Sequence, residues 1–334
     1  MQRVELFGPD DVRLVEVGEP KPGPRDAVVK VHACGICGSD IGYIKLGGMA
    51  GPGDKPMPLG HELAGTVEAV GEEVDGFAPG TRVVVNPLAN GNAIGNGGPQ
   101  GGFAPYLLVP NAAAGGALFE VPDGMPLDIA ALAEPVGVGM NAVDQVGAQP
   151  GDKVVVFGAG PIGLTAVASL RHGGFEDVIA VDLSARRLGI AAELGARETI
   201  NATHGDVWER LRELHGTEAL YGMSCTGTDA YVEASGAQPV IPQILSNAKP
   251  NARLSIVALH RSEVPVNFLL VMMKQLHLVG AMEYPDDYTR TLELLSIRDM
   301  RPLLTHHFAL DCFDEALAVA RDPAAGGKIM IEVS

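Results

Sequence analysis

The strongest constraint on the fold is an alternation that begins at Lys153. "KVVVFG" is followed by "PIGLTAVASLRHGG", then "DVIAVD", then "SARRLGIAAELG". Short Val/Ile-rich runs alternate with segments whose apolar residues recur every three or four positions and stop at glycine. "DVWERLRELHG", "DAYVEASG", "PVIPQILSNAK", "RLSIVAL" and "LHLVGAM" continue the pattern. Continuous apolar strands are buried on both faces, so they belong to a parallel sheet with helices packed on each side. The pattern predicts an α/β chain with a Rossmann-type, doubly wound parallel sheet over residues 141–282.

The first turn of that unit reads Gly158-Ala159-Gly160-Pro161-Ile162-Gly163. A lone G-x-G-x-x-G is weak. Here it follows a strand, opens a helix, and precedes a strand ending in Asp182, about 20 residues on, as a dinucleotide fingerprint requires. Gly158 permits the tight turn, Gly160 lets a pyrophosphate approach the backbone, and Gly163 lets helix and sheet pack closely. The helix that opens at Pro161 offers free N–H groups to the phosphates, from Ile162 onward because proline has none. Asp182 can accept from the adenosine ribose hydroxyls and repels the extra phosphate of NADP. Arg186 and Arg187 argue the other way, since arginine can hold that phosphate. The carboxylate outweighs them, NAD is the expected cofactor, and Arg187 stays as a candidate cofactor contact.

The first 140 residues differ. "DAVVKVHAC", "ELAGTVEAVG" and "GTRVVVNPL" are β-branched runs closed by Gly and Pro, the mark of a barrel-like or sandwich-like β-rich domain. Residues 90–103, "NGNAIGNGGPQGGF", have no period and read as a flexible loop. The tail, 283–334, has two helices ("DYTRTLELLSI" and "FDEALAVARD") and a terminal strand "KIMIEVS"; it is expected to pack back on the N-terminal domain. A net charge of −17 spread along the chain disfavours nucleic acid and anionic membranes as partners. No apolar run reaches the roughly 18 residues of a membrane span, and "MQRVELFGPDDVRL" has no signal-peptide core. The expectation is a soluble cytoplasmic protein with reduced thiols, acting on a small molecule.

The chemistry of the β-rich domain turns on "CGICGSD", Cys34 to Asp40. A structural zinc site would need two more Cys or His at close spacing. A redox dithiol should open a helix after a strand in a small βαβ unit. This pair instead ends a strand in a β-rich domain. Downstream lie "GHE", with His61 and Glu62, and "AEP", with Glu134. One thiolate, one imidazole and one carboxylate make a catalytic zinc set with a coordination position to spare. Cys37 is taken as the ligand and Cys34 as a buried thiol.

Together "CGICGSD", "GHE", "AEP", "PGDKVVVFGAGPIG" and "VIAVD" resemble the zinc-dependent medium-chain alcohol/polyol dehydrogenases, over essentially the whole chain. Sorbitol, butanediol, L-idonate and threonine dehydrogenases are the similar branch. The resemblance implies a GroES-like catalytic domain over 1–140 and NAD-dependent oxidation of a secondary alcohol of a polyol, sugar acid or diol. It implies Cys37 and His61 as zinc ligands, Glu62 as a ligand or close neighbour, and Glu134 bound directly or through water. Ser39 would bond the substrate alcohol, and Asp40 would orient His61. Relatives are dimers or tetramers, so a homodimer or homotetramer is expected.

Two departures stand out. The lobe where relatives commonly carry four cysteines for a structural zinc is cysteine-free here, which predicts one zinc per chain. Gly42 replaces a histidine that relays the proton to solvent. Two other readings stay open: a zinc-free, NADPH-dependent reductase of the quinone reductase kind, and a catalytically retired dinucleotide-binding protein.

Overall fold

The computed structural model describes residues 1–284, 287–322 and 325–333. Backbone contacts divide the chain into one unit of Met1–Glu134 with Asp286–Ser334, and a second of Pro135–Pro285.

In the second unit six parallel strands run in the order Glu198–Asn201, Val178–Asp182, Val154–Phe157, Ala230–Glu233, Arg253–Ile256, His277–Gly280. The sequence direction reverses between Val154–Phe157 and Ala230–Glu233, which is where doubly wound sheets bind ligands. All four residues of Val154–Phe157 are buried. Val155, Phe157, Ile179, Val181, Tyr231 and Leu254 form one core with Trp208. A hairpin of Thr217–Leu220 and Met223–Thr226, absent from the sequence reading, stands apart from this sheet.

In the first unit a seven-stranded sheet follows the path Leu304–Ala309, Lys328–Glu332, Ala27–Gly35, Glu62–Val70, Arg82–Val85, Leu118–Glu120, with Tyr106–Val109 also paired to Ala27–Gly35. The C-terminal strand lies antiparallel to Ala27–Gly35, pairing Met330 with Gly35. Gly35 in turn pairs with Glu62. Three strands far apart in sequence therefore end side by side.

Two local expectations need correction. Residues 90–103 are not a loose loop: Ile94 and Phe103 are buried, Gly95 N–H donates to the Gln100 carbonyl at 2.7 Å, and Phe103 packs on Phe313 with ring centroids 4.9 Å apart. Packing, not periodicity, orders this segment. The "CGICGSD" pair does precede a helix, Gly38–Leu46, with Cys37 as its N-cap. The strand before it, however, pairs antiparallel with each of its neighbours and belongs to no βαβ unit. Among the described residues no helix is long and apolar enough to cross a membrane.

Candidate metal and cofactor sites

The first site forms where the strand Ala27–Gly35 ends and the strand Glu62–Val70 begins. Cys37 follows the first strand by two residues, and His61 and Glu62 open the second, so antiparallel pairing brings them together. One potential donor atom from each of Cys37, His61 and Glu62 lies within 4.8 Å of the others. His61 and Glu62 are buried and Cys37 is half-buried. Glu134, in the first turn of the helix Ala133–Val146, is also buried but stands outside that tight set.

Asp40 serves the site twice. Its Oδ2 accepts from the Cys37 N–H at 2.9 Å, fixing the cap that aims the cysteine. Its Oδ1 faces His61 Nδ1 at 3.6 Å. Ser39 Oγ lies 3.4 Å from His61 Nε2. The Tyr43 hydroxyl donates to Asn96 Oδ1 at 3.1 Å, tying the helix after Cys37 to the segment 90–103.

Electrostatics mark this as a strained set of acids. Burial, with Glu62 beside it, pushes the Cys37 thiol up to about 12. Burial also raises Asp40 and raises Glu134 well above the usual carboxylate range. Burial alone would lower His61, but Asp40, Glu134 and Glu62 outweigh it and raise it. In this site three buried polar atoms have no hydrogen-bond partner: Asp40 Oδ1, His61 Nδ1 and Glu62 Oε2. Buried polar atoms are normally satisfied. A thiol, an imidazole and a carboxylate converging with an orphaned acceptor fit a divalent ion of the zinc type, which relieves the crowding of acids as it displaces their protons.

Lys328 is the residue that the sequence reading missed. Its ammonium donates to Glu62 Oε1 at 2.6 Å and to the Ile36 carbonyl at 3.1 Å. A single lysine heading the apolar run "KIMIEV" was the available signal.

The second site is the glycine turn. Gly158 has φ +92, and a Cβ there would lie 2.7 Å from Ser235 Cα. A Cβ on Gly163 would lie 1.8 Å from the Gly158 carbonyl oxygen. Gly160, at ordinary φ −68, has nothing within 4 Å of such a Cβ. The helix Pro161–His172 begins with Pro161 in its first turn and has no side-chain cap, so its leading N–H groups are free for a ligand. Asp182 ends its strand with Oδ2 accepting from Ala159 N–H at 2.6 Å and Oδ1 from Ser184 N–H at 2.8 Å. It braces the turn from the strand end. Arg187 is half-buried, in the first turn of the helix Ala185–Glu193, where its N–H is capped by Ser184 Oγ.

Comparison with known proteins agrees with this geometry. The family described as Alcohol dehydrogenase GroES-like domain matches residues 23–123, and that described as Zinc-binding dehydrogenase matches residues 161–296. L-threonine 3-dehydrogenase of Deinococcus deserti is 32% identical over 96% of this chain and 95% of its own length. Sorbitol dehydrogenase of Homo sapiens is 30% identical over 98% of this chain and 94% of its own. The crystal structure of 2R,3R-butanediol dehydrogenase from Bacillus subtilis superposes with a TM-score of 0.87 at 28% identity, covering 99% of each chain. The chain belongs to the zinc-dependent medium-chain alcohol/polyol dehydrogenase family and is an oxidoreductase.

Proposed function

We propose that the protein oxidises a secondary alcohol of a polyol, sugar acid or diol with NAD, and runs the reverse reduction with NADH. The observation that carries this is the Cys37, His61 and Glu62 donor set with its orphaned Glu62 Oε2. The relatives' names, threonine, sorbitol and butanediol dehydrogenase, all denote enzymes of hydroxylated small molecules. The zinc-free alternative is disfavoured, because buried donors facing one another without a cation leave polar atoms unsatisfied.

Residues 1–140 with the tail 283–334 carry the alcohol chemistry, and residues 141–282 hold the dinucleotide. Cys37 and His61 hold zinc, Glu62 adjoins it, and Glu134 joins directly or through water. When bound, zinc and the nicotinamide supply Lewis acidity and a hydride acceptor. Ser39 Oγ hydrogen-bonds the substrate hydroxyl and passes its proton outward. Gly42 offers no side chain to continue that route, so a ribose hydroxyl or water takes the proton from Ser39. Asp40 holds the His61 ring through Nδ1. Gly160 and the open end of the helix Pro161–His172 bind the pyrophosphate, Asp182 the adenosine ribose, and Arg187 flanks that end.

The enzyme works in the cytoplasm, where its four free cysteines stay reduced. It assembles as a homodimer or homotetramer. Support comes from the edge strand His277–Gly280 and the exposed Phe268, Leu269 and Met272 nearby in the same unit. Light scattering on the purified protein reads the assembly directly. The functional test is a panel of polyols, diols and sugar acids followed by NADH absorbance, with and without chelator. Chelator-sensitive oxidation of at least one secondary alcohol is expected; turnover by metal-free protein would sink the reading.

A further inference from the structure

Glu62 is wedged from two sides. Lys328 Nζ holds its Oε1 at 2.6 Å, and both side chains are 1% exposed. On the other side a Cβ at Gly35 would lie 2.3 Å from Glu62 Oε2 and 3.3 Å from Lys328 Cδ, so only glycine leaves room for the carboxylate. The strand register builds this cradle, with Gly35 opposite Glu62 on one side and Met330, two residues beyond Lys328, on the other. Buried ion pairs give little net stability, and apolar residues of similar volume often replace them without loss. The pair therefore calls for another role.

A divalent ion held by Cys37 and His61 and the ammonium of Lys328 compete for one carboxylate. Whatever charge the ammonium neutralises on Oε1 is withheld from the ion. We propose that Lys328 is a positioning residue that restrains Glu62, weakening its grip on the ion so that a coordination position stays open for the substrate hydroxyl. This rests on the zinc reading above. Removing the ammonium releases Glu62 toward the ion. It also removes a positive charge near a dication, and both effects hold zinc more tightly. Mere damage to the fold would loosen it.

The test uses the full-length, zinc-loaded protein and follows zinc transfer to excess 4-(2-pyridylazo)resorcinol by absorbance. Lys328→Met is expected to release zinc at least about tenfold more slowly than wild type, a change of about 1.4 kcal/mol, while kcat falls. The cobalt-substituted variant should show a visible spectrum displaced from that of cobalt wild type. In a Glu62→Gln background the lysine substitution should slow release much less, leaving only the small bare-charge effect, because the main coupling runs through that carboxylate. Should Lys328→Met not accumulate as folded protein, Lys328→Gln, which keeps a donor for the Ile36 carbonyl, is held to the same criteria. Faster or unchanged release in the single variant overturns the proposal, and so does equal slowing in the Glu62→Gln background. Wild-type protein that binds no zinc overturns the zinc reading and this proposal with it, whereas normal zinc loading with unaltered release overturns this proposal alone.

Discussion

Two glycines of the dinucleotide turn, Gly163 and Gly160, should fail in different ways when given a methyl group. At Gly163 the new Cβ would lie 1.8 Å from the Gly158 carbonyl oxygen. Real carbon–oxygen contacts need more than an ångström beyond that, so the helix Pro161–His172 must move off the sheet. Overpacking of this kind costs about 1–3 kcal/mol, which for a unit of this size lowers Tm by roughly 2–12 °C. Gly160 is the opposite case. Its φ of −68 suits any residue, and its Cβ meets nothing within 4 Å. Alanine is a slightly poorer N-cap than glycine, a loss below about 1 kcal/mol. Gly160→Ala should therefore fold nearly as well as wild type, yet its methyl stands where the pyrophosphate meets the backbone. We expect its Kd for NADH to rise at least about tenfold, or about 1.4 kcal/mol. Thermal unfolding reads the first effect and NADH fluorescence titration the second. A Gly160→Ala protein with wild-type NADH affinity would refute the placement of the pyrophosphate. One that unfolds like Gly163→Ala would refute the packing argument.

Cys37→Ala should abolish zinc binding and turnover and leave NADH binding largely intact; near wild-type activity would remove Cys37 from the metal site. Asp182→Ala should narrow the preference for NAD over NADP. It should also weaken binding of both, because the carboxylate braces Ala159 N–H at 2.6 Å; an unchanged ratio of the two Kd values would show that Asp182 does not touch the ribose. His215, bonded to Thr228 at 2.8 Å and Asp177 at 3.1 Å, is held below its ordinary value by burial, which outweighs the raising effect of Asp177. The unfolded chain thus takes up a proton near about pH 6.5 that the folded chain refuses. Stability from neutral His215 is present above that pH and lost as pH falls toward the depressed folded value. His215→Gln should flatten the acid side of a Tm-against-pH curve, and an unchanged slope would contradict the sign.

The parallel sheet was legible because each of its signals is local. Four buried residues in Val154–Phe157, a glycine turn and an amphipathic helix can all be read within one window. Elements whose signals are atypical were not. The hairpin Thr217–Leu220 and Met223–Thr226 turns at Tyr221 and Gly222, both at positive φ. The usual Asn-Gly or Asp-Gly cue is missing because a tyrosine occupies the first position. The helix Gly38–Leu46 contains glycines at 38 and 42 and is capped by a cysteine in place of the usual Ser, Thr, Asp or Asn. The strand Leu304–Ala309 carries two histidines in an otherwise mixed run and offered no alternation to read.

The candidate metal site divides along the same line. Cys37, Ser39 and Asp40 are neighbours in sequence, and His61 and Glu62 are adjacent; residue type and spacing nominated Cys37, His61 and a carboxylate, and the family resemblance added Ser39 and Asp40. Lys328 was beyond reach for a physical reason. It meets Glu62 across 266 residues, through a register that sets Gly35 between two strands. No local window contains that register, which exists only once the tail has paired with Ala27–Gly35. The consequence is mechanistic as well as predictive. Donors drawn from one short stretch can be recognised as a metal set, but the group that governs how firmly one of them binds arrives with the last strand of the chain. Truncating or unpairing that strand would leave every nominated ligand in the sequence and still remove the counter-charge to Glu62.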